Sequence, residues 1–311
     1  MSRTAVVIVT YNSSDDIEAC VRSLEGAHDT SIIVIDNASA DATPEILERL
    51  AAEGRIDTLV LSKTNDGFAK AVNRGLAIEP NADAFLLNPD ARIDATNFER
   101  LRELAHSMPS VGVLAPLVDN GAGTATLGAG QQPRLWPVFT HFSGLARLFP
   151  NTRWLRGRHL FRSSHSESDH DVEWVSGCAM YITRAARAAT GALSEQWFMY
   201  GEDIEYARRV SRAGFRIVMT PKVHASHAIG ASVNQSTSTV STMWAENTFA
   251  YYVSEFRPGP LRKLLWRLVF SGGLLSRAAL IYARTARRSG ASTDAQRAKA
   301  RRFVAFSRAI W

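Results

Sequence analysis

Residues 84–90 read Ala-Phe-Leu-Leu-Asn-Pro-Asp, an apolar run that stops abruptly at polar residues and a proline. A run of this length predicts a buried β-strand. A carboxylate at the exit of such a strand, here Asp90, can hold a divalent metal, because Mg²⁺ and Mn²⁺ prefer oxygen ligands and bridge phosphates. The same residues are also typical of an ordinary turn. Asn88 and Asp90 therefore indicate a binding site only if the surrounding sequence predicts a sheet with ligands at this end of the strand.

Strand and helix signals alternate on both sides of this run. The runs that predict strands are 5–10, 31–36, 58–61, 84–87 and 111–117. Strands that alternate with helices predict crossover connections and an α/β fold with a mostly parallel sheet flanked by helices. In such sheets ligands bind at the carboxyl ends of the strands, so we expect the polar residues after each strand to share one edge.

That edge carries the candidate binding residues. The carboxylate of Asp36 ends the second strand and can accept hydrogen bonds from a nucleotide base or ribose. Glycine at position 67 lets the backbone approach a ligand closely. The other polar residues expected at this edge are Thr10, Tyr11, Asn12, Asn65 and Asn88. Each of these signals alone also fits a plain strand-to-turn junction, so the prediction depends on their occurring together.

A second acidic pair, Glu202 and Asp203, opens a predicted helix. Acids at a helix start complement the helix dipole, which is a sufficient structural reason for them. The aromatic run at 197–201 precedes the pair, and an apolar wall can raise the pKa of a carboxyl group and tune it as a base. A metal at Asp90 and a base brought near it would suffice to move a group off a phosphate-bearing donor.

The composition places the chain among globular proteins, with 46% hydrophobic residues in 311. Two distant cysteines favour neither a disulfide framework nor a zinc cluster. No signal peptide precedes the first strand, so we expect a reducing, cytoplasmic location. The net charge of +6 is uneven, because residues 257–311 contain thirteen Lys or Arg and one acid, and the remainder therefore carries −6.

The basic tail at 257–311 predicts a helical region that seeks anionic lipid, nucleic acid or an acidic partner. Apolar side chains interleave with its bases at Leu264, Leu265, Trp266, Leu268 and Phe270. We expect an amphipathic helix on an anionic membrane surface, since Arg267 and Arg277 make a membrane span costly. A bundle that packs on the catalytic domain is the alternative, and the acidic remainder of the chain argues against nucleic acid.

From about residue 5 to residue 256 the chain resembles family 2 glycosyltransferases of the GT-A (Rossmann-like) fold. The matching stretches are 7–12, 34–41, 65–75, 87–90, 174–183 and 198–214. The Asn-Pro-Asp motif and the Gly-Glu-Asp-Ile-Glu stretch look most like those of rhamnosyltransferases that act on N-acetylglucosaminyl-diphosphate-polyprenol. The resemblance implies a metal-dependent, inverting transfer from a nucleotide sugar, with dTDP-L-rhamnose as the donor and Mg²⁺ or Mn²⁺ as the metal.

The resemblance also implies roles for single residues. Asp90 would bind the metal and the diphosphate, and His227 looks like the family's late histidine near the metal. Asp203 would be the catalytic base, with Glu202 beside it. Asn88 departs from the two-carboxylate form of the metal motif, which weakens the case for strong metal binding.

On the donor side, the resemblance implies that Asp36 contacts the nucleotide and that Thr10 and Asn12 line the same pocket. The implied acceptor is a polyprenol-diphosphate-linked saccharide of cell-envelope polysaccharide synthesis. The enzyme would then be peripheral on the inner face of the cell membrane. Galactofuranose and glucose are alternatives to rhamnose, and the oligomeric state is not predicted.

The expected domains are a catalytic domain at 1–256 and the basic helical extension at 257–311. The catalytic domain divides into a nucleotide-sugar half, a loop-rich segment and an acceptor half, at 1–118, 119–170 and 171–256. A metal-dependent nucleotide-sugar hydrolase is a rival function. A dinucleotide-dependent oxidoreductase is disfavoured, because no Gly-x-Gly-x-x-Gly motif follows the first strand.

Overall fold

The computed structural model describes residues 3–119, 128–160, 168–227, 241–286 and 290–311. The chain forms two compact units. The first unit comprises Met1–Gly130 and Phe161–Ser236, and the second comprises Gln131–Leu160 and Thr237–Trp311. Residues 243–256 thus group with the C-terminal helices, and the expected division into domains at 256/257 stays a prediction.

The first unit contains the strands. The main sheet contains β1 (Thr4–Thr10), β2 (Thr30–Asp36), β3 (Thr58–Leu61), β4 (Asp83–Leu87), β5 (Ala91–Arg92), β6 (Val111–Asp119), β8 (His170–Asp171), β10 (Ala179–Ile182) and β11 (Arg216–His227). Two further strands, β7 (Ala129–Gly130) and β9 (Trp174–Val175), pair with each other. The order in the main sheet is β3-β2-β1-β4-β10-β6-β11-β5, with β8 on β11.

Helices flank this sheet and also build the second unit. Those of the first unit are α1 (Ile17–Ser23), α2 (Thr43–Ala52), α3 (Phe68–Ile78), α4 (Ala95–Ser107), α7 (Arg184–Thr190) and α8 (Glu202–Arg212). Those of the second unit are α5 (Leu135–Ser143), α6 (Leu145–Leu148), a 3₁₀ turn (Arg153–Leu155), α9 (Met243–Phe256), α10 (Pro260–Thr285) and α11 (Ala291–Ala309).

The sheet is mostly parallel, as the alternating pattern predicts. β1 is buried along its whole length and pairs in parallel with β2 and β4. β10 is antiparallel to both of its neighbours, β4 and β6. This insertion places the chain just before β10 beside the carboxyl end of β4.

Buried polar contacts anchor the opposite end of β4. Asp83 accepts hydrogen bonds from the Tyr181 hydroxyl at 3.0 Å and from the backbone N–H of Arg184 at 2.6 Å. His106 lies 2.9 Å from the same carboxylate. Because Asp83 begins the strand that Asp90 follows, this group holds the sheet together away from the ligand-binding edge.

The basic tail forms part of the core of the second unit. Trp266 and Phe270 stack with ring centroids 4.7 Å apart and are fully buried, together with Val138 of α5 and Tyr252 of α9. The expectation that these two rings face a membrane is therefore wrong, because they pack against helices of their own unit. Leu264, Leu265 and Leu268 are exposed, as expected.

The segment predicted to be loop-rich, 119–170, contains short elements, namely α5, α6 and the 3₁₀ turn, while 120–127 and 161–167 lie outside the described residues. Among the described helices, α10 is long and apolar enough to cross a membrane, with a mean hydropathy of 1.4 over its most apolar window, of which 28% is buried. By length and composition alone α10 could therefore cross a membrane, which Arg267 and Arg277 led us not to expect.

Candidate active site

The carboxylate of Asp36 is held at the ends of two neighbouring strands. Thr10 and Asp36 are register partners of β1 and β2, and the Thr10 hydroxyl donates a 2.7 Å hydrogen bond to Oδ1 of Asp36. The backbone N–H of Ser39 donates to the other carboxylate oxygen at 2.9 Å. Both Thr10 and Asp36 are buried, so the pairing fixes this acid at the edge where the sequence predicts it.

Ser39 also joins the loops after β1 and β2. Its hydroxyl accepts a 2.8 Å hydrogen bond from the backbone N–H of Asn12, and Oδ1 of Asn12 accepts one of 2.8 Å from the N–H of Ala40. Asn12 adopts a left-handed conformation with φ of 51°, which asparagine tolerates better than most residues. Tyr11 is half exposed beside this junction. The three predicted residues at the end of β1, Thr10, Tyr11 and Asn12, therefore lie with Asp36.

Gly67 connects this edge to the aromatic run that precedes the acidic pair. Oδ1 of Asn65 accepts from the Gly67 N–H at 3.1 Å, and Nδ2 of Asn37 donates to the Gly67 carbonyl at 3.1 Å. The N–H of Phe68 donates to the Phe198 carbonyl at 2.9 Å. The start of α3 and the segment before α8 are thus hydrogen-bonded to each other.

Asp90 and His227 come together through a short strand pair. β5 begins directly after Asp90, and its residue Ala91 pairs with His227 at the end of β11. Nε2 of His227 donates to Oδ1 of Asp90 at 2.9 Å. Burial lowers the pKa of His227, but hydrogen bonds to the Asp90 carboxylate and the Cys178 sulfur outweigh it and raise the pKa to about 10.

Cys178 supports this pair in a way that the sequence did not reveal. Its carbonyl accepts a 2.8 Å hydrogen bond from the N–H of Asn88, and its sulfur interacts with His227. From the other side, the Cys20 thiol donates to the Asn88 carbonyl at 3.4 Å. In the sequence, only the residues around Cys178 could have indicated this role. The contacts of Cys178 themselves depend on the antiparallel pairing of β10 with β4.

Glu202 and Asp203 begin α8, as predicted. Glu202 is 5% exposed, and Oε2 of Glu202 has no hydrogen-bond partner among the described residues. Burial raises the pKa of the Glu202 carboxyl to about 8, and the adjacent Asp203 contributes to the rise. Asp203 is half-buried, and its Oδ1 accepts from the Ile204 N–H at 2.8 Å.

Tyr200 links the two acidic spots. Burial raises the pKa of its phenol, and the nearby charges of Glu202 and Asp90 raise it further, so both acids lie within electrostatic range of one hydroxyl. Tyr200 has a left-handed φ of 66° and Gly201 one of 124°, and a non-glycine residue in this region is strained. Phe198, Met199 and Tyr200 are all partly exposed, and exposed aromatic rings such as those of Phe198 and Tyr200 suit a sugar ring.

His224 does not join this group. Its Nδ1 lies 3.3 Å from Oδ2 of Asp119, so it contacts the end of β6. The carboxylate of Asp90 is an acceptable ligand for Mn²⁺ or Mg²⁺, and the imidazole of His227 is one for Mn²⁺ once it has lost its proton. The described residues contain no cluster of three or more metal-binding side chains.

Comparison with known proteins identifies relatives of the chain. The family model described as glycosyl transferase family 2 matches residues 5–163, about half of the chain. The N-acetylglucosaminyl-diphospho-decaprenol L-rhamnosyltransferase of Mycobacterium tuberculosis is 28% identical over 91% of this chain and 94% of its own length. A low-salt glycan biosynthesis hexosyltransferase of Haloferax volcanii is 26% identical over 72% of this chain and 66% of its own length.

Solved structures agree on the fold. A mannosyltransferase from Pyrobaculum calidifontis, in complex with GDP-Man and Mn²⁺, superimposes with a TM-score of 0.59 at 18% identity, covering 99% of this chain and 85% of that one. The predicted mostly parallel α/β sheet of the GT-A type, with C-terminal helices, is confirmed.

Proposed function

The chain belongs to glycosyl transferase family 2, and we propose that it transfers a hexose from a nucleotide sugar to a hydroxyl of a lipid-linked saccharide. The observation that carries this proposal is that Tyr200 lies within electrostatic range of both Glu202 and Asp90, the acid that is hydrogen-bonded to His227. An acidic pair at a helix start and a second acid at a strand exit would supply the base and the metal-binding carboxylate that such a transfer needs.

The proposed donor is dTDP-L-rhamnose and the proposed acceptor a saccharide on a polyprenol diphosphate. The support is the rhamnosyltransferase relative, which aligns over 91% of this chain. Another hexose, such as glucose or galactofuranose, is the alternative, since the hexosyltransferase relative aligns over 72%. A lipid-linked acceptor would bring the enzyme to the inner face of the cell membrane.

Asp203 is the proposed base. As the acceptor oxygen attacks the anomeric carbon, Asp203 takes its proton, and the bond from that carbon to the diphosphate oxygen breaks. The nucleoside diphosphate leaves with the bonding electrons, so one displacement inverts the anomeric centre without a covalent intermediate. The buried carboxyl of Glu202 is proposed to orient the acceptor, because a carboxyl with a raised pKa can donate a hydrogen bond at neutral pH.

Asp90 and His227 are the proposed holders of a divalent metal. A bound metal would neutralise negative charge that grows on the leaving diphosphate. The side chains that hold the metal must also be kept in position. The contacts of Cys178 with His227 and with Asn88 would do this. Asn88 can serve the same diphosphate by hydrogen bonding.

The nucleotide is proposed to bind at the edge formed by the ends of β1 and β2. Asp36 would accept hydrogen bonds from the base or ribose, and its own contacts with Thr10 and Ser39 hold it rigid for that purpose. The other proposed contacts are Tyr11, Asn12, Asn65 and Gly67.

A donor screen tests the proposal. The full-length protein is incubated with a set of nucleotide sugars and a short-chain N-acetylglucosaminyl-diphosphate-polyprenol, with Mn²⁺, with Mg²⁺ or with EDTA, and products are identified by mass. We expect one added deoxyhexose from dTDP-L-rhamnose, in the metal samples only. Product from another sugar would replace the donor assignment, and nucleotide release without acceptor at the full rate would favour the hydrolase.

A further inference from the structure

Residues 131–160 of the second unit have an unusual composition. They contain five arginines, two tryptophans and three phenylalanines, with no Asp or Glu. The two segments of the second unit together hold 18 of the 36 Lys and Arg but three of the 30 Asp and Glu, a net charge of +15. The first unit is left with −9, so the net positive charge of the protein comes from the second unit.

The segment folds into a closed hairpin rather than an extended loop. The indole N–H of Trp136 donates to the Trp154 carbonyl at 2.7 Å, and the N–H of Arg158 donates to the Pro137 carbonyl at 3.2 Å. Gly157 lies against His141, so closely that a Cβ at position 157 would be 3.0 Å from the His141 Cβ. These contacts fix the 3₁₀ turn beside α5.

One side of α5 is committed to the core. Val138 is fully buried, and Phe142 packs against Phe270 of α10 with ring centroids 5.3 Å apart. A Cβ at Gly273 would collide with the Phe142 ring, so the two helices pack tightly. This side of the hairpin therefore has its apolar partner.

The other side of the hairpin is apolar and exposed. Trp136 and Phe139 stack with centroids 5.5 Å apart, and Trp154 and Leu148 are exposed to 82% and 72%. We call this surface the aromatic face, and its members are Trp136, Phe139, Leu148, Phe149 and Trp154. Soluble monomers rarely expose so many large apolar side chains in one short segment.

The charges around the aromatic face select its partner. Arg147 and Arg153 belong to the same segment and are exposed, and the segment contains no acid. A second copy of the chain docked on the same face would bring arginine against arginine, whereas anionic headgroups would complement them. Indole rings prefer the boundary between acyl chains and headgroups. We propose that the aromatic face inserts into the surface of an anionic membrane, with Arg147 and Arg153 on the lipid headgroups.

This inference deepens the proposed function, because a lipid-linked acceptor requires contact with a membrane. It also adds the aromatic face to the exposed leucines of the tail as residues that could provide that contact. The tail supplies Trp266 and Phe270 to the core, so deleting 257–311 would destroy the second unit and could not report on docking. Substitutions on the aromatic face leave the core untouched.

Vesicle flotation tests the inference with the full-length protein. The double variant Leu148→Ser, Trp154→Ser is compared with wild type and with Ile78→Ser, which removes an exposed apolar side chain at the end of α3. Vesicles contain phosphatidylcholine alone or with phosphatidylglycerol. We expect the double variant to partition onto the mixed vesicles at least about tenfold more weakly than wild type, and Ile78→Ser to match wild type. Equal melting temperatures confirm that all three are folded.

The charge contribution has its own control. Arg147→Glu, Arg153→Glu should weaken binding to mixed vesicles and leave the weaker binding to phosphatidylcholine unchanged. If the double variant Leu148→Ser, Trp154→Ser floats with the mixed vesicles as well as wild type does, the proposal is overturned. So would displacement from vesicles by random duplex DNA at equal phosphate, which would assign the face to nucleic acid, or a dimer that the double variant dissociates, which would assign it to a second copy.

Activity separates this proposal from the transfer proposal. The double variant should transfer sugar normally to a water-soluble, short-chain acceptor and lose at least about tenfold on the same saccharide carried by a long polyprenol in mixed vesicles. Equal loss on both acceptors would show a structural effect and overturn the docking role. Failure of wild type on every acceptor would overturn the transfer proposal, while the flotation result would still decide the membrane proposal.

Discussion

Gly67→Ala perturbs the connection between the donor edge and the acidic pair. Gly67 has a φ of 89°, and a Cβ there would lie 2.5 Å from the backbone carbonyl oxygen of Phe198. With a ψ of 173°, Gly67 adopts a conformation that is essentially restricted to glycine, so an alanine here costs about 1–3 kcal/mol. The clash also forces apart the Phe68 N–H and the Phe198 carbonyl, which are hydrogen-bonded at 2.9 Å, at a further cost of about 1 kcal/mol.

Gly54→Ala is the matched control. Gly54 has a φ of 69°, but nothing lies within 4 Å of its ideal Cβ position, so this variant carries the backbone strain without the clash. We expect about 1–2 kcal/mol of destabilisation for Gly54→Ala and about 2–4 kcal/mol for Gly67→Ala, measured as the free energy of unfolding in urea.

Activity gives the functional part of this prediction. Displacing Phe198 moves the segment that leads to Glu202 and Asp203, so Gly67→Ala should lower kcat/KM for transfer by about tenfold or more. Gly54→Ala should retain wild-type kcat/KM. If both variants are equally stable and equally active, the Gly67–Phe198 contact does not connect the two halves of the site and the reasoning is refuted.

Three further predictions concern the charged groups of the site. Burial raises the pKa of the Glu202 carboxyl to about 8, so the stability that the neutral carboxyl contributes is present below its ordinary pKa of 4.5 and is lost as the pH rises towards 8. Glu202→Gln should therefore gain stability over wild type across this range, by up to about 1.4 kcal/mol per pH unit in urea titrations. A stability difference that stays constant with pH would contradict the raised pKa. Asp90→Asn and His227→Ala should each raise the Mn²⁺ concentration for half-maximal transfer by about tenfold or more, and an unchanged metal titration would remove that residue from the metal site. Asp36→Asn should weaken donor binding in calorimetry by about tenfold with little change in kcat, and the opposite pattern would place Asp36 in the chemistry.

The local parts of the fold could be predicted from the sequence. The apolar runs at 5–10, 31–36 and 84–87 are strands, and Asn88 and Asp90 follow the strand as expected. These features depend on residue type and short-range periodicity. The pairing of Thr10 with Asp36 then follows from a parallel β1–β2 register, which an alternating pattern implies.

The features that could not be predicted depend on contacts far apart in the sequence. The antiparallel insertion of β10 places Cys178 against Asn88, and the β5–β11 pairing places His227 beside Asp90. Trp266 has the same sequence surroundings as the exposed Leu264 and Leu265, and only its packing against other helices of the second unit decides that it is buried. Similarly, the aromatic face depends on how a segment without periodicity closes on itself.

Single-turnover transfer by Asp203→Asn tests the account most directly, with Glu205→Gln as the control. Both substitutions remove a negative charge from the first turn of α8, so a general effect of the helix dipole would appear in both. We predict that Asp203→Asn slows transfer by about a hundredfold or more while its affinity for the donor stays within about threefold of wild type, and that Glu205→Gln transfers normally. Transfer by Asp203→Asn at a rate near that of Glu205→Gln would contradict the assignment of the base.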